Sequence, residues 1–552
     1  MIKKEHVSGK NYEEFRNSFK WEIPDKYNIA YDVCDKHAEN NGSKFALYLE
    51  DDKGEEMKVT FKKLKELSDR FANYLTGVGV KKGDRVAIML SQKLETAVAH
   101  IGIYKIGAIA VPLSILFGPE ALTYRLNDSG CKVVVVEIEN AGILSDIWSN
   151  FKNVENTVLV GDGSAPIGGI KFGEVLDSAS SSFNLVETKA ADPAIIIYTS
   201  GTTGKPKGTL LPHQVLLGHV PSVQLYFDLA PKTGDVFWTP ADWAWIGGAF
   251  DLLFPGLKFG GPVVGSVMGK FDPERAFYLI SKYQVTCTFM PATVLKMMMQ
   301  VKDPKHKYNF NLRVVGSGGE AVNPVIHQWY KENLNISINE FYGQTEANLL
   351  VGNSSELLAI KPGSMGKPYP GHKVEIIDEE GNVLSAGETG EVALDHRGDP
   401  VAFLEYWNNP EATREKYLGK WLITGDMASK DENEYLWFEG RKDDVIISAG
   451  YRIGPTEVES TLLQHPAVSE AAAIGSPDEL RGEVVKAFVK LKEGYSSSEV
   501  LEKEISSLVK SNLSAYAYPR EIEFIEDIPI TTTGKIKRKE LREMEKKRKE
   551  KP

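Results

Sequence analysis

The sequence is poor in the features that mark secreted proteins. Only three cysteines occur among 552 residues, at Cys34, Cys131 and Cys287, and none belongs to a CxxC pair. This spacing indicates neither a disulfide framework nor a cysteine zinc site, and it predicts a reduced compartment. The first residues are polar and contain no apolar core, so we expect no secretory signal and a cytoplasmic protein.

The sequence also lacks a net positive charge and long apolar runs without charged residues or proline. The net charge of −11 gives no overall electrostatic footprint for nucleic acid or an anionic membrane. The most hydrophobic window, 100–118, contains Lys105 and Pro112, which favours a buried helix, turn and strand over a membrane span. No Walker A sequence is present, which disfavours a kinase or motor ATPase.

Most of the chain alternates short apolar runs with amphipathic segments. A strand at 57–59 is followed by a helix that Thr60 caps and Gly77 ends. The same alternation continues with strands predicted at 84–90, 109–112 and 133–137 and helices at 93–105 and 119–127. This order predicts an open, largely parallel sheet with helices on both faces, in a chain long enough for more than one domain.

A loop at 198–208 follows the apolar run 194–197, which we interpret as a buried strand. The loop holds three threonines, one serine, three glycines and two lysines. Glycines let backbone N–H groups approach an oxyanion, and hydroxyl and ammonium groups add further donors. A surface hairpin tip is the alternative, but this density of donors favours phosphate binding.

Two later strands also lead into polar or glycine-rich loops. The runs 312–315 and 336–341 precede the loops 316–320 and 342–346. In open α/β sheets, ligands collect at the carboxyl ends of strands. After Gly363 the chain changes to short alternating runs, which indicate a small β-rich subdomain.

Five motifs in order resemble the adenylate-forming superfamily of acyl-CoA synthetases, adenylation domains and luciferases. They are the 198–208 loop, 342–346, 421–426, 440–457 and 529–535. The segments 342–346, 450–455 and 481–488 look most like medium-chain acyl-CoA synthetases.

The resemblance implies an α/β fold in two domains. A large N-terminal domain of mostly parallel sheets flanked by helices would span 1–440, with the β-rich subdomain at about 363–440. A hinge at 441–444 would join it to a small, mobile α+β domain at 445–552. The C-terminal domain of this family rotates between two half-reactions, and Asp443 matches the hinge position.

The implied activity is that of an AMP-forming acyl-CoA synthetase. Such an enzyme uses ATP and Mg²⁺ to convert a carboxylic acid into an acyl-adenylate and then transfers the acyl group to CoA. We expect an acid of short to medium chain length, no nucleic-acid partner and no integral membrane segment, and we leave a homo-oligomer open. The alternatives are an adenylation domain that loads a carrier protein and a nucleotide-binding regulator without turnover.

The resemblance assigns roles at the nucleotide. Thr345 would donate to the α-phosphate, and Glu346 would bind Mg²⁺ unless it merely starts a helix. Lys535 would stabilise the meeting of substrate carboxylate and α-phosphate, with Arg452 as a second cation. The positions that match ATP or AMP contacts are Thr199, Ser200, Gly201, Thr202, Thr203, Gly204, Lys205, Pro206, Lys207, Gly318, Gly319, Glu320, Glu340, Phe341, Tyr342, Gly343, Gln344, Asp426 and Arg441.

Other positions match CoA and acyl contacts of the family. For CoA they are Ala449, Gly450, Tyr451, Arg481, Lys510, Tyr518 and Arg520, each of which could instead be an ordinary surface residue. The acyl pocket would be lined by Trp243, Trp245 and Gly343, although a tryptophan pair is also typical of a core. Acetyl-CoA synthetases carry tryptophan where Gly343 stands, so this glycine implies room for an acid longer than acetate.

Overall fold

The computed structural model describes residues 11–199, 206–442, 444–448, 451–478, 482–512, 517–531 and 534–549, without the side chains of 447, 451, 452, 457 and 482. The chain forms two compact units. Unit 1 comprises Met1–Pro362, Pro368–Lys373 and Asp395–Lys420, and unit 2 comprises Gly363–Lys367, Val374–Leu394 and Trp421–Pro552.

Helices and strands alternate along most of the chain. The helices are α1 (Tyr12–Ser18), α2 (Lys36–Asn41), α3 (Phe61–Gly77), α4 (Leu94–Lys105), α5 (Pro119–Ser129), α6 (Ala141–Ile147), α7 (Phe172–Ser178), α8 (Val215–Tyr226), α9 (Ile246–Gly248), α10 (Phe254–Lys258), α11 (Pro273–Lys282), α12 (Ala292–Met298), α13 (Pro304–Lys307), α14 (Pro324–Leu334), α15 (Pro410–Glu415), α16 (Pro455–Leu462), α17 (Glu499–Asn512) and α18 (Arg538–Lys549). Short π or 3₁₀ turns occupy Tyr31–Asp35, Ile138–Asn140, Trp148–Asn150 and Ala249–Leu253.

The strands are mostly short, as in other α/β proteins. They are β1 (Phe45–Glu50), β2 (Glu56–Thr60), β3 (Arg85–Met89), β4 (Ile109–Pro112), β5 (Val133–Glu137), β6 (Asn156–Val160), β7 (Ile170–Lys171), β8 (Pro193–Thr199), β9 (Lys207–Pro212), β10 (Phe237–Trp238), β11 (Val263–Ser266), β12 (Cys287–Phe289), β13 (Val314–Gly318), β14 (Ile338–Gln344), β15 (Ala347–Gly352), β16 (Lys367–Pro368), β17 (Val374–Ile377), β18 (Thr389–Asp395), β19 (Glu405–Tyr406), β20 (Tyr417–Leu418), β21 (Trp421–Lys430), β22 (Leu436–Arg441), β23 (Ile446–Ser448), β24 (Tyr451–Ile453), β25 (Val468–Asp478), β26 (Gly482–Leu491) and β27 (Glu521–Phe524).

Unit 1 contains two sheets instead of one continuous sheet. One runs in the order β19-β9-β8-β4-β3-β5-β6-β7, and it is parallel except where β9 pairs with β8 and β19. The other runs β15-β14-β13-β12-β10-β11-β1-β2, and it is parallel except at its two ends. The predicted fold class, mostly parallel sheets with flanking helices, is confirmed. The predicted ligand loops, however, follow strands of different sheets.

Local sequence signals explain several of these elements. The Thr60 hydroxyl accepts from the Lys63 N–H at 3.2 Å, so it caps α3 as predicted. The hydrophobic window at 100–118 forms the end of α4, a turn and β4. Lys105 is fully buried, and its Nζ lies 2.7 Å from Asp35 and 2.5 Å from Asp69. No helix among the described residues is long and apolar enough to cross a membrane.

Unit 2 also contains two sheets. One has the neighbours β17-β18-β21-β22, and the other runs β24-β23-β26-β25, with β27 parallel to β26. The second sheet shares a core with α16 and α17 through Val458, Leu462, Ile505 and Val509. The β-rich stretch predicted for 363–440 therefore contributes strands to unit 2. The domain boundary and hinge at 441–444 stay predictions.

Candidate active site

The predicted phosphate loop connects two antiparallel strands, β8 and β9. Tyr198 pairs with Gly208, and Thr199 pairs with Lys207 at the ends of the strands. The Thr199 hydroxyl donates to the Lys207 carbonyl at 3.4 Å. Residues 200–205, the centre of the predicted loop, lie outside the described residues, so their phosphate contacts stay a prediction.

Helix α5 supports the base of this hairpin. The Tyr198 hydroxyl donates to Asp128 Oδ2 at 2.6 Å, and burial together with this carboxylate raises the pKa of Tyr198. The Tyr124 hydroxyl donates to the Pro206 carbonyl at 3.0 Å. The Arg125 guanidinium lies 4.1 Å from the Phe117 ring centroid, and burial lowers its pKa. The two ends of the loop are thus attached to a packed helix.

A second hairpin presents Thr345 and Glu346. Gln344 pairs with Ala347 across β14 and β15, so Thr345 and Glu346 form the connecting turn. Glu346 is only 7% exposed, and its carbonyl accepts from the Phe403 N–H at 2.9 Å. The alternative reading of Glu346 as a helix start is wrong, because β15 follows it. A buried carboxylate at a hairpin tip is a costly arrangement unless it is hydrogen-bonded.

The partner of this carboxylate is Tyr406, which sequence reasoning missed. Its hydroxyl donates to Glu346 Oε1, and its ring centroid lies 5.0 Å from Lys207 Nζ. On the same segment, Lys416 Nζ donates to Gln344 Oε1 at 3.0 Å. The sequence around Tyr406 signals only a helix start at Asn409 and Pro410, whose cap is observed. Nothing in it indicates a contact with a residue sixty positions earlier.

The predicted adenine-binding elements lie on β13 and β14. Gly316 to Gly318 belong to β13, so the expectation that this strand ends at Val315 is wrong. A Cβ at Gly318 would lie 2.3 Å from the Phe341 ring, which only glycine avoids. Gly319 follows with φ +85°, a conformation that favours glycine.

Two acidic residues stabilise this region. Glu340 accepts from the Val322 N–H at 2.9 Å and lies 2.8 Å from His327 Nε2. Glu320 accepts from the Thr293 hydroxyl at 2.9 Å. The Phe341 ring is buried 4.7 Å from the Tyr226 ring, whereas Tyr342 is partly exposed. Nucleotide contacts by these residues stay predictions.

The residues present fit a magnesium ion that is shared with phosphate groups. Among the described residues there is no group of three or more His, Cys, Asp or Glu that could hold a metal ion. Mg²⁺ commonly binds one or two carboxylates and completes its shell with phosphates and water. Glu346 supplies one hard carboxylate at the turn after β14. Tyr406 contacts both this carboxylate and Lys207, at the end of the phosphate loop.

The proposed acyl residues occupy three different environments. Trp243 is fully buried, and a Cβ at Gly265 would lie 2.9 Å from its ring. Trp245 is partly exposed, with its ring 5.9 Å from that of Phe117 in an edge-on contact. Burial raises the pKa of the neighbouring Asp242 to about 6, and its Oδ1 accepts from the Ala244 N–H at 2.9 Å.

Gly343 has a structural reason to be glycine. A Cβ there would lie 2.5 Å from the Leu349 backbone nitrogen and 2.7 Å from Asn348 Oδ1. Asn348 Nδ2 in turn donates to Asp251 Oδ1 at 2.5 Å and lies 3.0 Å from His219 Nε2. Burial raises the pKa of Asp251 well above its usual range. The hairpin packing therefore accounts for Gly343 without reference to pocket depth.

A serine, a histidine and an aspartate also line up in unit 1. His372 Nδ1 lies 2.8 Å from Asp399 Oδ2, and its Nε2 lies 3.4 Å from the Ser222 hydroxyl. Ser222 is fully buried, and its hydroxyl donates to the Leu349 carbonyl at 2.9 Å. A nucleophile needs access to substrate and a base that receives its proton. This arrangement is a structural hydrogen-bond chain.

Unit 2 carries the predicted ribose-binding pair. Asp426 on β21 faces Arg441 on β22, and Arg441 Nη1 lies 2.7 Å from Asp426 Oδ1. Asp426 is 4% exposed, whereas the arginine side chain is 42% exposed. The Gly425 N–H donates to Glu391 Oε1 at 2.8 Å, which fixes the turn before Asp426. The structure brings these two predicted residues together.

Lys535 lies on an exposed turn of unit 2. The Thr531 N–H donates to the Lys535 carbonyl at 2.7 Å, and the Lys535 N–H donates to the Thr531 hydroxyl at 3.0 Å. Gly534 has φ +87°, which the tight turn requires. Arg452 lies on β24, but its side chain is outside the described residues.

Three predicted CoA residues form a cluster. The Tyr518 ring centroid lies 5.3 Å from Lys510 Nζ and 4.9 Å from the Arg520 guanidinium. Two cations on one aromatic ring make a local basic site in a protein whose net charge is −11. Asp443, Ala449, Gly450 and Arg481 lie outside the described residues, as does the side chain of Tyr451.

Comparisons with known proteins identify two matching family models. The family model described as AMP-binding enzyme matches residues 34–407, and the one described as AMP-binding enzyme C-terminal domain matches 457–535. The chain is 37% identical to the rat acyl-coenzyme A synthetase ACSM3, mitochondrial, over 97% of its own length and 93% of the relative. It is 38% identical to acetyl-coenzyme A synthetase of Bacillus subtilis, over 97% and 95%.

A solved structure extends the likeness to the fold. The anthranilate CoA ligase AuaEII in complex with anthranoyl-AMP matches with a TM-score of 0.85 and 30% identity. The match covers 96% of this chain and 99% of that one.

Proposed function

The chain belongs to the AMP-binding enzyme family, and we propose that its acid substrate is of short to medium chain length. It is an AMP-forming acyl-CoA synthetase, an acid–thiol ligase that uses ATP, CoA and Mg²⁺. The observation that carries the residue assignments is the contact of Tyr406 with both Glu346 and Lys207. It supports a common role for the 342–346 hairpin and the phosphate loop.

A carboxylate is a poor acyl donor because its carbon is shielded by delocalised negative charge. Bringing it to a phosphate adds repulsion that the protein must offset with cations and hydrogen-bond donors. We assign Thr199 to Lys207 to the β- and γ-phosphates and Thr345 to the α-phosphate. Glu346 would hold Mg²⁺, which would supply positive charge against the phosphates.

Unit 2 supplies the remaining polar groups in this proposal. Asp426 accepts from the ribose hydroxyls, and Arg441 orients Asp426 through their ion pair. Lys535 offsets the repulsion between carboxylate and α-phosphate, and its exposed turn leaves the side chain room to move. A rotation at the predicted hinge would withdraw Lys535 before CoA attacks.

For the second half-reaction we assign Lys510, Tyr518 and Arg520 to CoA. Their clustering supports an anionic ligand, because a tyrosine ring between two cations keeps both positive charges close together. Gly450 and its neighbours are proposed to pass the pantetheine chain, and glycine leaves room for it.

The chain length of the acid, the cellular compartment and the oligomeric state are proposed with less support. The relatives' names include an acetyl-CoA synthetase, and the two indoles near Asp242 add bulk to the proposed acyl region. We therefore favour acids of few carbons, including branched or hydroxylated ones. A cytoplasmic location stays a prediction, since several relatives are named mitochondrial. A homo-oligomer likewise stays open.

An acid panel tests the proposal. Purified protein is incubated with ATP, Mg²⁺ and linear, branched and hydroxylated acids, and pyrophosphate release is measured with and without CoA. We expect turnover that requires the acid and CoA and yields one AMP per acyl-CoA. Preference for a phosphopantetheinyl carrier protein over CoA would favour the adenylation-domain alternative. Preference for long-chain acids would overturn the proposed chain length.

A further inference from the structure

The segment 403–417 contacts each predicted phosphate element of unit 1 that the structure describes. Leu404 and Trp407 donate backbone N–H groups to the carbonyls of Leu210 and Gly208, at 2.9 and 2.7 Å. These bonds add β19 to the edge of β9. The segment is therefore a continuation of the sheet that carries the phosphate loop.

The same segment is bound to the other sheet of unit 1. Phe403 donates its N–H to the Glu346 carbonyl at 2.9 Å, and Lys416 donates to Gln344 Oε1 at 3.0 Å. Tyr406 adds its hydroxyl bond to Glu346 Oε1. Residues 403–417 thus link the β14–β15 hairpin to the β8–β9 hairpin, which belong to different sheets.

Tyr406 occupies the central position in this link. It is 5% exposed, its hydroxyl faces the Glu346 carboxylate, and its ring faces the Lys207 ammonium. One side chain therefore contacts a proposed metal-binding carboxylate and a proposed phosphate-binding lysine at the same time. A phenylalanine would preserve the ring contact with Lys207 and lose the hydroxyl contact with Glu346.

We propose that Tyr406 is a positioning residue of the adenylation step, which orients Glu346 for Mg²⁺ and holds it in place relative to Lys207. This inference rests on the proposed function of Glu346. The hydroxyl donates to Oε1, and this bond restricts rotation of the carboxylate, so that Oε2 keeps one orientation. Hydrogen-bond partners of metal ligands set ligand orientation, and their loss typically weakens metal binding by about 10- to 100-fold.

The test compares Tyr406→Phe with Tyr417→Phe. Tyr417 lies on the same segment, stacks on Phe403, and donates its hydroxyl to the Phe403 carbonyl at 3.3 Å. Tyr417→Phe therefore removes a comparable hydroxyl group, one that donates to Phe403 instead of Glu346. The first readout is the Tm of each protein with ATP across a Mg²⁺ titration, in the absence of any acid. The second is the Mg²⁺ dependence of acid-dependent ATP–pyrophosphate exchange.

We expect the Mg²⁺ midpoint of both readouts to rise about tenfold in Tyr406→Phe and to stay within about twofold of wild type in Tyr417→Phe. Formation of thioester from supplied acyl-adenylate should be spared in both variants. A Tyr406→Phe midpoint within twofold of wild type would overturn the proposal, even if the exchange rate fell. An equal shift in Tyr417→Phe would also overturn it, because the effect would then reflect the segment as a whole.

The two readouts separate this inference from the proposed function. If wild type shows Mg²⁺-dependent stabilisation by ATP but no acid releases pyrophosphate, the function fails while the Tm titration still tests Tyr406. If Tyr406→Phe does not unfold cooperatively without ligand, the Mg²⁺ dependence of its ATP–pyrophosphate exchange provides the second measurement. The same shift in midpoint is expected from it, and an unchanged midpoint would contradict the role of Tyr406.

Discussion

Glu346 and Lys535 carry opposite charges and are proposed to act in the same reaction. They differ in burial and in hydrogen bonding. Glu346 is buried at a hairpin tip, with its carbonyl and carboxylate both hydrogen-bonded to the 403–417 segment. Lys535 is exposed on a turn. The hydrogen bonds described for Lys535 are made by its backbone N–H and carbonyl. The difference fits the two proposed roles, because a carboxylate that holds a metal ion needs fixed partners and a cation that is withdrawn between half-reactions does not.

The helix that follows Lys535, α18, is nevertheless held by ion pairs. Arg538, three residues later, makes two bonds to Glu459, at 3.1 and 2.6 Å, and lies 3.5 Å from Asp444. Arg542 binds the other oxygen of Asp444 at 2.6 Å. The start of α18 is thus tied to Asp444, the last residue of the predicted hinge, and to Glu459. The exposed Lys535 therefore precedes a helix whose first turns are held by ion pairs.

Removing the exposed cation should give the largest effect. Lys535→Ala is expected to lower acid-dependent pyrophosphate exchange by about 10²- to 10³-fold, because a donor aimed at developing charge is lost. Thioester formation from supplied acyl-adenylate should stay within about twofold of wild type. Lys537→Ala, two residues away and exposed, is the matched control. Equal loss of both half-reactions in Lys535→Ala would contradict the division of roles.

Breaking the base of the Lys535 turn should reduce stability. Arg538→Met leaves the buried Glu459 without its two-bond partner, at a cost of about 3 to 5 kcal/mol in free energy of unfolding. Arg542→Met should cost less, because its side chain is 32% exposed. Urea unfolding combined with hydrogen exchange in 455–478 and 538–549 measures both. A larger loss in Arg542→Met would show that Glu459 is not the critical partner.

Loosening the fixed hairpin provides the next comparison. Gly343→Ala places a Cβ against the Leu349 backbone, and overpacking of this kind costs about 1 to 3 kcal/mol. Gly173→Ala, at an exposed position of α7 with open space around the added carbon, should change stability little. If Gly343→Ala folds with wild-type stability and shifts the acid preference toward acetate, pocket size would be the better reason for this glycine.

A pH profile gives the smallest predicted effect. Because burial raises the pKa of Asp242 to about 6, the folded state holds this proton more tightly than the unfolded state does. The contribution of Asp242 to stability is present below its ordinary pKa and is lost as the pH rises through about 6. The Tm difference between Asp242→Asn and wild type should therefore grow in favour of the variant between pH 4 and pH 7. A pH-independent difference would contradict the raised pKa of this carboxyl group.

Sequence reasoning reached much of the fold because local signals were strong. The Thr60 cap, the strand at 109–112 and the helix that ends at Lys105 were predicted within a residue or two. The division of unit 1 into two sheets was not predicted, since strand order depends on contacts between distant residues. The extension of β13 and β14 into the predicted loops was missed because their glycines were taken as loop residues.

The candidate site residues were predicted from motifs, and their roles stay predictions. Asp426 and Arg441 were expected to share a sugar, and they form an ion pair across two strands. Tyr406 was missed because its role depends on Glu346 and Lys207, which are far away in sequence and lie on two different sheets. Gly343 was assigned to pocket depth, whereas the backbone of β15 provides a reason of its own.

The most direct test of the central claim follows one oxygen atom. A carboxylic acid labelled with ¹⁸O in its carboxylate is turned over with ATP, Mg²⁺ and CoA, and the AMP and pyrophosphate are analysed by mass spectrometry. Attack of the carboxylate on the α-phosphate predicts one ¹⁸O in each AMP and none in pyrophosphate. Unlabelled AMP, or label in a phosphate released from the γ position, would contradict acyl-adenylate formation by this chain.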